Sequence, residues 1–214
     1  MDLPAAEAWH LPYVDQLGIR ELDAISLVVI HCTELPDLAT AREYGEKVLY
    51  VDTGTGNSGH FYIDRNGRVY EFVPITRVAH HTRGYNPQSI GIELINKGRY
   101  PNWMDSRSQL MTEAYTEAQI NALSALLSRL QQTLPNLKQI AGHEDLDQAE
   151  VPASDDPTVK VWRKRDPGPL FPWAKVLADV NLQRIERASV IWPPVTPSVT
   201  PSLPVTDPAV PKSD

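Results

Sequence analysis

Ser26-Leu27-Val28-Val29-Ile30-His31 is the stretch from which the fold can be read. Four consecutive apolar residues, three of them β-branched, fit a strand buried on both faces, the pattern of a central strand in a largely parallel sheet. Ser89-Ile-Gly-Ile-Glu-Leu-Ile-Asn96 reads as a second such strand. Moving outward, His60–Asp64 and Arg68–Val73 flank Asn66-Gly67, a strong short-range signal for a hairpin. Between Thr116 and Leu134, Ile120, Leu123, Leu126, Leu127, Leu130 and Leu134 form one apolar stripe at helical spacing. Thr116 and Gln119 stand where a capping box would start that helix. A helix over Asp37–Leu49 with Asp37 as N-cap, a short strand over Leu137–Ala141 ending at Gly142, and a final helix from Pro172 to about Arg187 complete the reading. Hairpin and crossovers together imply an α/β domain with a central mixed β-sheet flanked by α-helices.

Composition bounds what such a domain does. The 214 residues carry 20 basic and 27 acidic side chains, a formal net charge of −7. That balance argues against a nucleic-acid binder, which should show a basic face, and against a polybasic membrane-surface protein. No apolar run approaches the length of a bilayer span. With Cys32 alone, no internal disulfide forms. The opening MDLPAAEAWH has neither a positive n-region nor an apolar h-region, so a cytoplasmic setting is expected, or a periplasmic or secreted one if an export segment was removed. Residues 193–214 hold seven of the 19 prolines and read as a Pro/Thr/Ser-rich disordered tail, leaving residues 1–192 as one domain.

Three features of the domain invite chemistry. Glu93 interrupts an apolar strand, which is costly unless the carboxylate is paired, sits in a site, or lies on a solvated edge. Gly91, on the same face, leaves room for a ligand or another backbone. His31 and His143 both end apolar strands, where ligands of α/β folds gather, although a lone histidine there is more often structural. Asp166 precedes Pro167, which favours extended backbone, so Asp166 and Lys164 should point the same way. Two nitrogens and one oxygen from His31, His143 and Asp166 make an open catalytic zinc set, with a fourth position for water. Cys32 should point away, to the other face of its strand. Gly54-Thr-Gly-Asn-Ser-Gly59 spells a dinucleotide fingerprint but leads into the hairpin rather than a helix, so no pyrophosphate site is expected.

Six blocks in order, VVIHCTE (28–34), SGHFYIDRNGRVYEFVP (58–74), VAHH (78–81), SIGIELIN (89–96), AGHEDL (141–146) and KRDPGPLFPW (164–173), resemble the type-2 N-acetylmuramoyl-L-alanine amidases. These zinc enzymes share their fold with the peptidoglycan recognition proteins, and the likeness covers about residues 26–175. The ending and the His-His-Asp set resemble most the branch acting on anhydromuropeptides in wall recycling. The resemblance implies Zn2+ on His31, His143 and Asp166, and water as the nucleophile on the amide joining the lactyl group of N-acetylmuramic acid to L-alanine. It implies Glu93 as the carboxylate that activates or positions the water, Lys164 as the oxyanion partner, and peptidoglycan fragments as partners of a monomer. His81 would line the substrate groove, beside His80 where the family has Trp, and His60, Tyr100 and Trp103 are further candidates for substrate contact. Lys97–Tyr115 and Gln148–Val161 read as loops longer than the family's, both near the site. The competing reading is a non-catalytic peptidoglycan-binding receptor on the same fold.

Overall fold

In the computed structural model, which describes residues 6–186, the elements run β1 (Glu7–Ala8), β2 (Leu27–Cys32), α1 (Leu38–Glu46), β3 (Phe61–Ile63), β4 (Val69–Glu71), β5 (Ser89–Leu94), α2 (Glu117–Thr133), β6 (Gln139–Gly142), α3 (His143–Leu146), β7 (Glu150–Pro152), β8 (Lys160–Trp162), α4 (Trp173–Ala178) and β9 (Gln183–Ile185). Seven strands form one sheet in the order β1-β4-β3-β5-β2-β6-β9, and β7 with β8 forms a separate hairpin. Only β3 and β4 pair antiparallel within the large sheet, so it is mixed, as the sequence implies.

Register follows from burial. All six residues of β2 are buried, and its neighbours β5 and β6 both run parallel to it. Val28, Ile30, Ile90, Ile92, Leu94 and Ile140 turn to one face, where the leucine stripe of α2 covers them. Each such leucine, fully buried, contributes about 1.5–3 kcal/mol. The capping box of α2 forms, Thr116 accepting from Gln119 N–H and Gln119 reaching back to Thr116. The same buried Gln119 amide donates to Ile63 and Ile95 carbonyls, fastening the start of α2 to the ends of two strands. Asp37 caps α1 through Thr40 N–H, as expected.

The far end of the domain departs from the sequence reading. The helix expected from Pro172 to about Arg187 stops at Ala178, and Gln183–Ile185 becomes a strand beside β6; Arg187 lies outside the described residues. Without β9, the outer side of β6 would carry unpaired backbone groups. Gln131 holds the chain for this turn, exchanging two hydrogen bonds with the Asn181 backbone. The outermost strands β1 and β9 thus lie beyond the 26–175 stretch of motif blocks. The tail assigned to 193–214 lies outside the described residues, and among those described no helix is long and apolar enough to cross a membrane.

Candidate functional site

Three adjacent parallel strands bring the candidate residues into a row. His31 near the end of β2 is the register partner of Glu93 on β5, and Gly142, the last residue of β6, pairs Ile30, so His143 follows on the other side. On this face lie the odd-numbered residues of β2 and β5, opposite the leucine-covered face. Cys32 is buried, and strand alternation turns its side chain to the face opposite that of His31.

Asp166 arrives from the loop after β8 and joins both histidines. One of its oxygens, Oδ2, lies 2.8 Å from His31 Nδ1 and 3.0 Å from His143 Nδ1. These three atoms all fall within 4.8 Å of one another, and all three side chains are buried. The second oxygen, Asp166 Oδ1, is buried with no hydrogen-bond partner. A buried carboxylate with an unused oxygen, beside two imidazole nitrogens, has the chemistry of a cation site. Burial would raise the Asp166 carboxyl, but His143 and His31 outweigh it and hold it well below the carboxylate range. Burial, with the charge of His143 adding, pulls His31 down to about 4, so its ring is neutral, the form a metal requires.

Glu93 Oε1 lies 3.9 Å from His31 Nδ1. Burial and the nearby charge of Asp166 push its carboxyl up to about 8, against the opposing charge of Lys164. Lys164 lines the same cleft, a cavity of 660 Å³ whose floor is His31, Glu93, His143 and Asp166. Glycines make the space for this arrangement. A Cβ on Gly59 would stand 2.8 Å from Glu93 Cγ, and one on Gly142 would stand 2.8 Å from Pro167 Cδ, next to Asp166. Gly59 belongs to the glycine-rich stretch 54–59, which leads into β3 and not a helix. Gly91 makes room for neither ligand nor backbone: the His81 ring fills its place, 2.6–2.9 Å from where a Cβ would be.

The remaining candidates separate. Trp103 lines the cleft, its indole N–H donating to Glu34 O. Tyr100 does not reach the wall; it packs edge-on behind Trp103 at 5.7 Å. His60 is fully buried and off the cleft, its ring nitrogens held by Gly91 N–H, the Arg77 carbonyl and the Arg20 guanidinium, so it braces the strand below the site. His81 borders the cleft, but both of its ring nitrogens are engaged by protein groups. His80, in the family's Trp position, packs edge-on against Tyr50 at 5.2 Å, and both line the cleft.

Sequence reasoning missed a charged pair that also lines the cleft. Arg99 is bidentate to Glu34, with both contacts at 2.7 Å and the guanidinium buried. It also donates to Gln109 Oε1 and to the Trp162 and Arg163 carbonyls. Glu34, just past β2, sits in the left-handed region at φ 49. The inserted 148–161 segment forms the β7–β8 hairpin and does not line the cleft. It backs the 97–115 loop instead, through Ser154 N–H to Met104 O and Asp155 to Ser106.

Comparison with known proteins agrees with this geometry. Residues 21–169 match the family model described as N-acetylmuramoyl-L-alanine amidase. Over 127 residues the chain is 32% identical to 1,6-anhydro-N-acetylmuramyl-L-alanine amidase AmpD of Escherichia coli, covering 55% of each chain. It is also 32% identical over 149 residues to N-acetylmuramoyl-L-alanine amidase AmiD of the same organism, covering 64% of this chain and 48% of AmiD. The chain thus spans about half the length of the curated relatives it matches. The solved complex of E. coli AmiD with the substrate anhydro-N-acetylmuramic acid-L-Ala-D-gamma-Glu-L-Lys superposes with a TM-score of 0.55 at 25% identity, covering 73% of this chain and 57% of that one. With 149 of its residues inside the family model and the His-His-Asp cluster beneath one cleft, the chain belongs to the N-acetylmuramoyl-L-alanine amidase family.

Proposed function

We propose that this chain hydrolyses the amide bond between the lactyl group of N-acetylmuramic acid and L-alanine in peptidoglycan fragments, with Zn2+ held by His31, His143 and Asp166. The observation that carries the reading is the convergence of three buried ligand atoms within 4.8 Å beside Glu93 and Lys164 in one cleft. The donor set is two nitrogens and one oxygen, as in open catalytic zinc sites and unlike closed thiolate-rich structural ones. Zn2+ bound there supplies Lewis acidity, polarising a carbonyl and making water acidic near neutral pH.

The chain's own groups do the rest. Glu93, whose carboxylate stands 3.9 Å from His31 Nδ1 in the same cleft, serves as the general base toward water and the acid toward the leaving amine. Lys164 brings a cation to the same cleft, where it offsets negative charge on the carbonyl oxygen as the bond breaks. Trp103 and the Tyr50–His80 pair, all lining the cleft, give a sugar or peptide aromatic surfaces to lie against. The AmiD complex, whose ligand is an anhydromuropeptide, supports that substrate class.

The test is mass spectrometry of products from purified anhydromuropeptide and from intact sacculi, with and without chelator. Release of free stem peptide that stops with chelator and returns with zinc is the expected result. The faster of the two substrates shows whether soluble fragments or the wall are preferred. A zinc-loaded protein that binds muropeptide and cleaves neither substrate sinks the enzymatic reading and leaves a receptor.

A further inference from the structure

His31 uses both ring nitrogens. While Nδ1 faces Asp166, Nε2 lies 3.0 Å from His81 Nδ1. The far nitrogen of His81, Nε2, lies 3.2 Å from Ser89 Oγ, and Ser89 Oγ donates to the Tyr85 carbonyl at 2.7 Å. The direction of this chain of hydrogen bonds is fixed at its outer end, because a carbonyl only accepts. Ser89 gives its one proton to Tyr85 O, so its oxygen accepts from His81 Nε2–H. A neutral His81 protonated on Nε2 has a bare Nδ1, which accepts from His31 Nε2–H. The His31 Nδ1 lone pair is then left free, on the side where Asp166 and His143 converge.

We infer that His81 is a positioning residue, which through Ser89 and the Tyr85 carbonyl selects the His31 tautomer and aims its Nδ1 at the metal. This rests on the metal reading above. The surroundings hold the relay still. Gly91 seats the His81 ring, and Asn86 Oδ1 accepts from the backbone N–H groups of both His81 and Thr82. Thr82 Oγ1, 3.0 Å from His81 Nδ1, adds a second donor to the same lone-pair side and reaches His31 Nε2 only at the longer distance of 3.4 Å, which leaves the imidazole as the nearer partner. A metal-bound histidine is commonly oriented by whatever its other nitrogen binds, and losing that partner costs about 10–100-fold in affinity or activity. Here the partner is another imidazole, anchored in turn by a serine on β5. Among the described residues the His143 ring is hydrogen-bonded at Nδ1 alone, to Asp166, so the relay acts on His31.

The experiment measures zinc affinity of the full chain by competition with a chromogenic chelator, together with kcat and KM on anhydromuropeptide. His81→Phe keeps a flat ring over Gly91 but offers no acceptor, and its zinc affinity should fall about 10–100-fold. His81→Asn, whose Oδ1 accepts near the place of Nδ1, should recover most of that loss. Ser89→Ala should weaken zinc in the same direction but less. KM should stay at the parent value in all three, since both nitrogens of the ring are already engaged by protein groups. Parental affinity in His81→Phe, an Asn variant as weak as Phe, or a change confined to KM overturns the relay and returns His81 to the groove wall. Should His81→Phe fail to fold, Ser89→Ala with parental affinity overturns it equally. A parent chain that takes up no zinc is seen before any variant is made and overturns the metal reading itself.

Discussion

On one face of β2 and β5, Val28, Ile30, Ile90, Ile92 and Leu94 meet the leucines of α2. On the other, one residue along each strand, His31 and Glu93 stand in a cleft closed by Asp166, Arg99 and Trp103. The first face is held by apolar area, which tolerates small rearrangements and needs no fixed angles. The second is held by charged and directional contacts whose members lie far apart in the chain: Glu34 and Arg99 are 65 residues apart, His31 and Asp166 are 135. A strand with its two sides so divided couples a stable floor to a polar site, and the divergence of the two sides can be tested by substitution.

The largest effect should come from the polar side. Asp166→Ala removes the carboxylate that touches both histidines, and metal analysis after dialysis should find the purified protein without zinc. Retained stoichiometric zinc would mean that the three residues are not the ligand set. Next, Glu93→Gln should lower kcat by about 10²–10⁴-fold with zinc content unchanged. A fall in zinc content instead would make Glu93 a ligand, not a base. Third, Arg99→Met leaves Glu34 buried and unpaired, and urea denaturation should show a loss of about 3–5 kcal/mol, typical of breaking one side of a buried pair. On the apolar side, Leu126→Ala should cost about 2–5 kcal/mol while activity per folded molecule stays parental. If that variant loses activity in proportion to stability, the two faces are not independent. The smallest effect belongs to Asp155→Ala at the rim: its contacts to Ser106 and Arg107 are exposed, and the urea midpoint should not move.

How far each side could be read from the sequence follows from the same division. Ile120, Leu123, Leu126, Leu127 and Leu130 signal a buried helix face because spacing alone brings them together, and Thr116 with Gln119 announces where it starts. His31, Glu93 and His143 could be singled out because each breaks or ends an apolar run at a strand's end. Glu34 and Arg99 gave no such signal: each alone is an ordinary charged residue, and only the folded chain shows that they are buried against each other. His60, a candidate for substrate contact in the sequence, has its ring claimed instead by Arg20, 40 residues away. Gln183–Ile185 continues a plausible helix pattern, and its conversion to a strand answers a need of β6 that no local window contains.

The Arg99 guanidinium bears on any attempt to re-engineer the cleft. It is hydrogen-bonded at once to Glu34 just past β2, to Gln109 in its own loop, and to the carbonyls of Trp162, the last residue of β8, and Arg163. The two long segments, 97–115 and 148–163, therefore form a single transplantable module, although more than 30 residues of helix and strand separate them in the chain. A chimera receiving the first without the second would give Arg99 no Trp162 or Arg163 carbonyl to bind, and would leave Met104 O without the Ser154 donor. Swaps meant to change substrate preference should exchange both segments together, with Glu34 as the fixed joint.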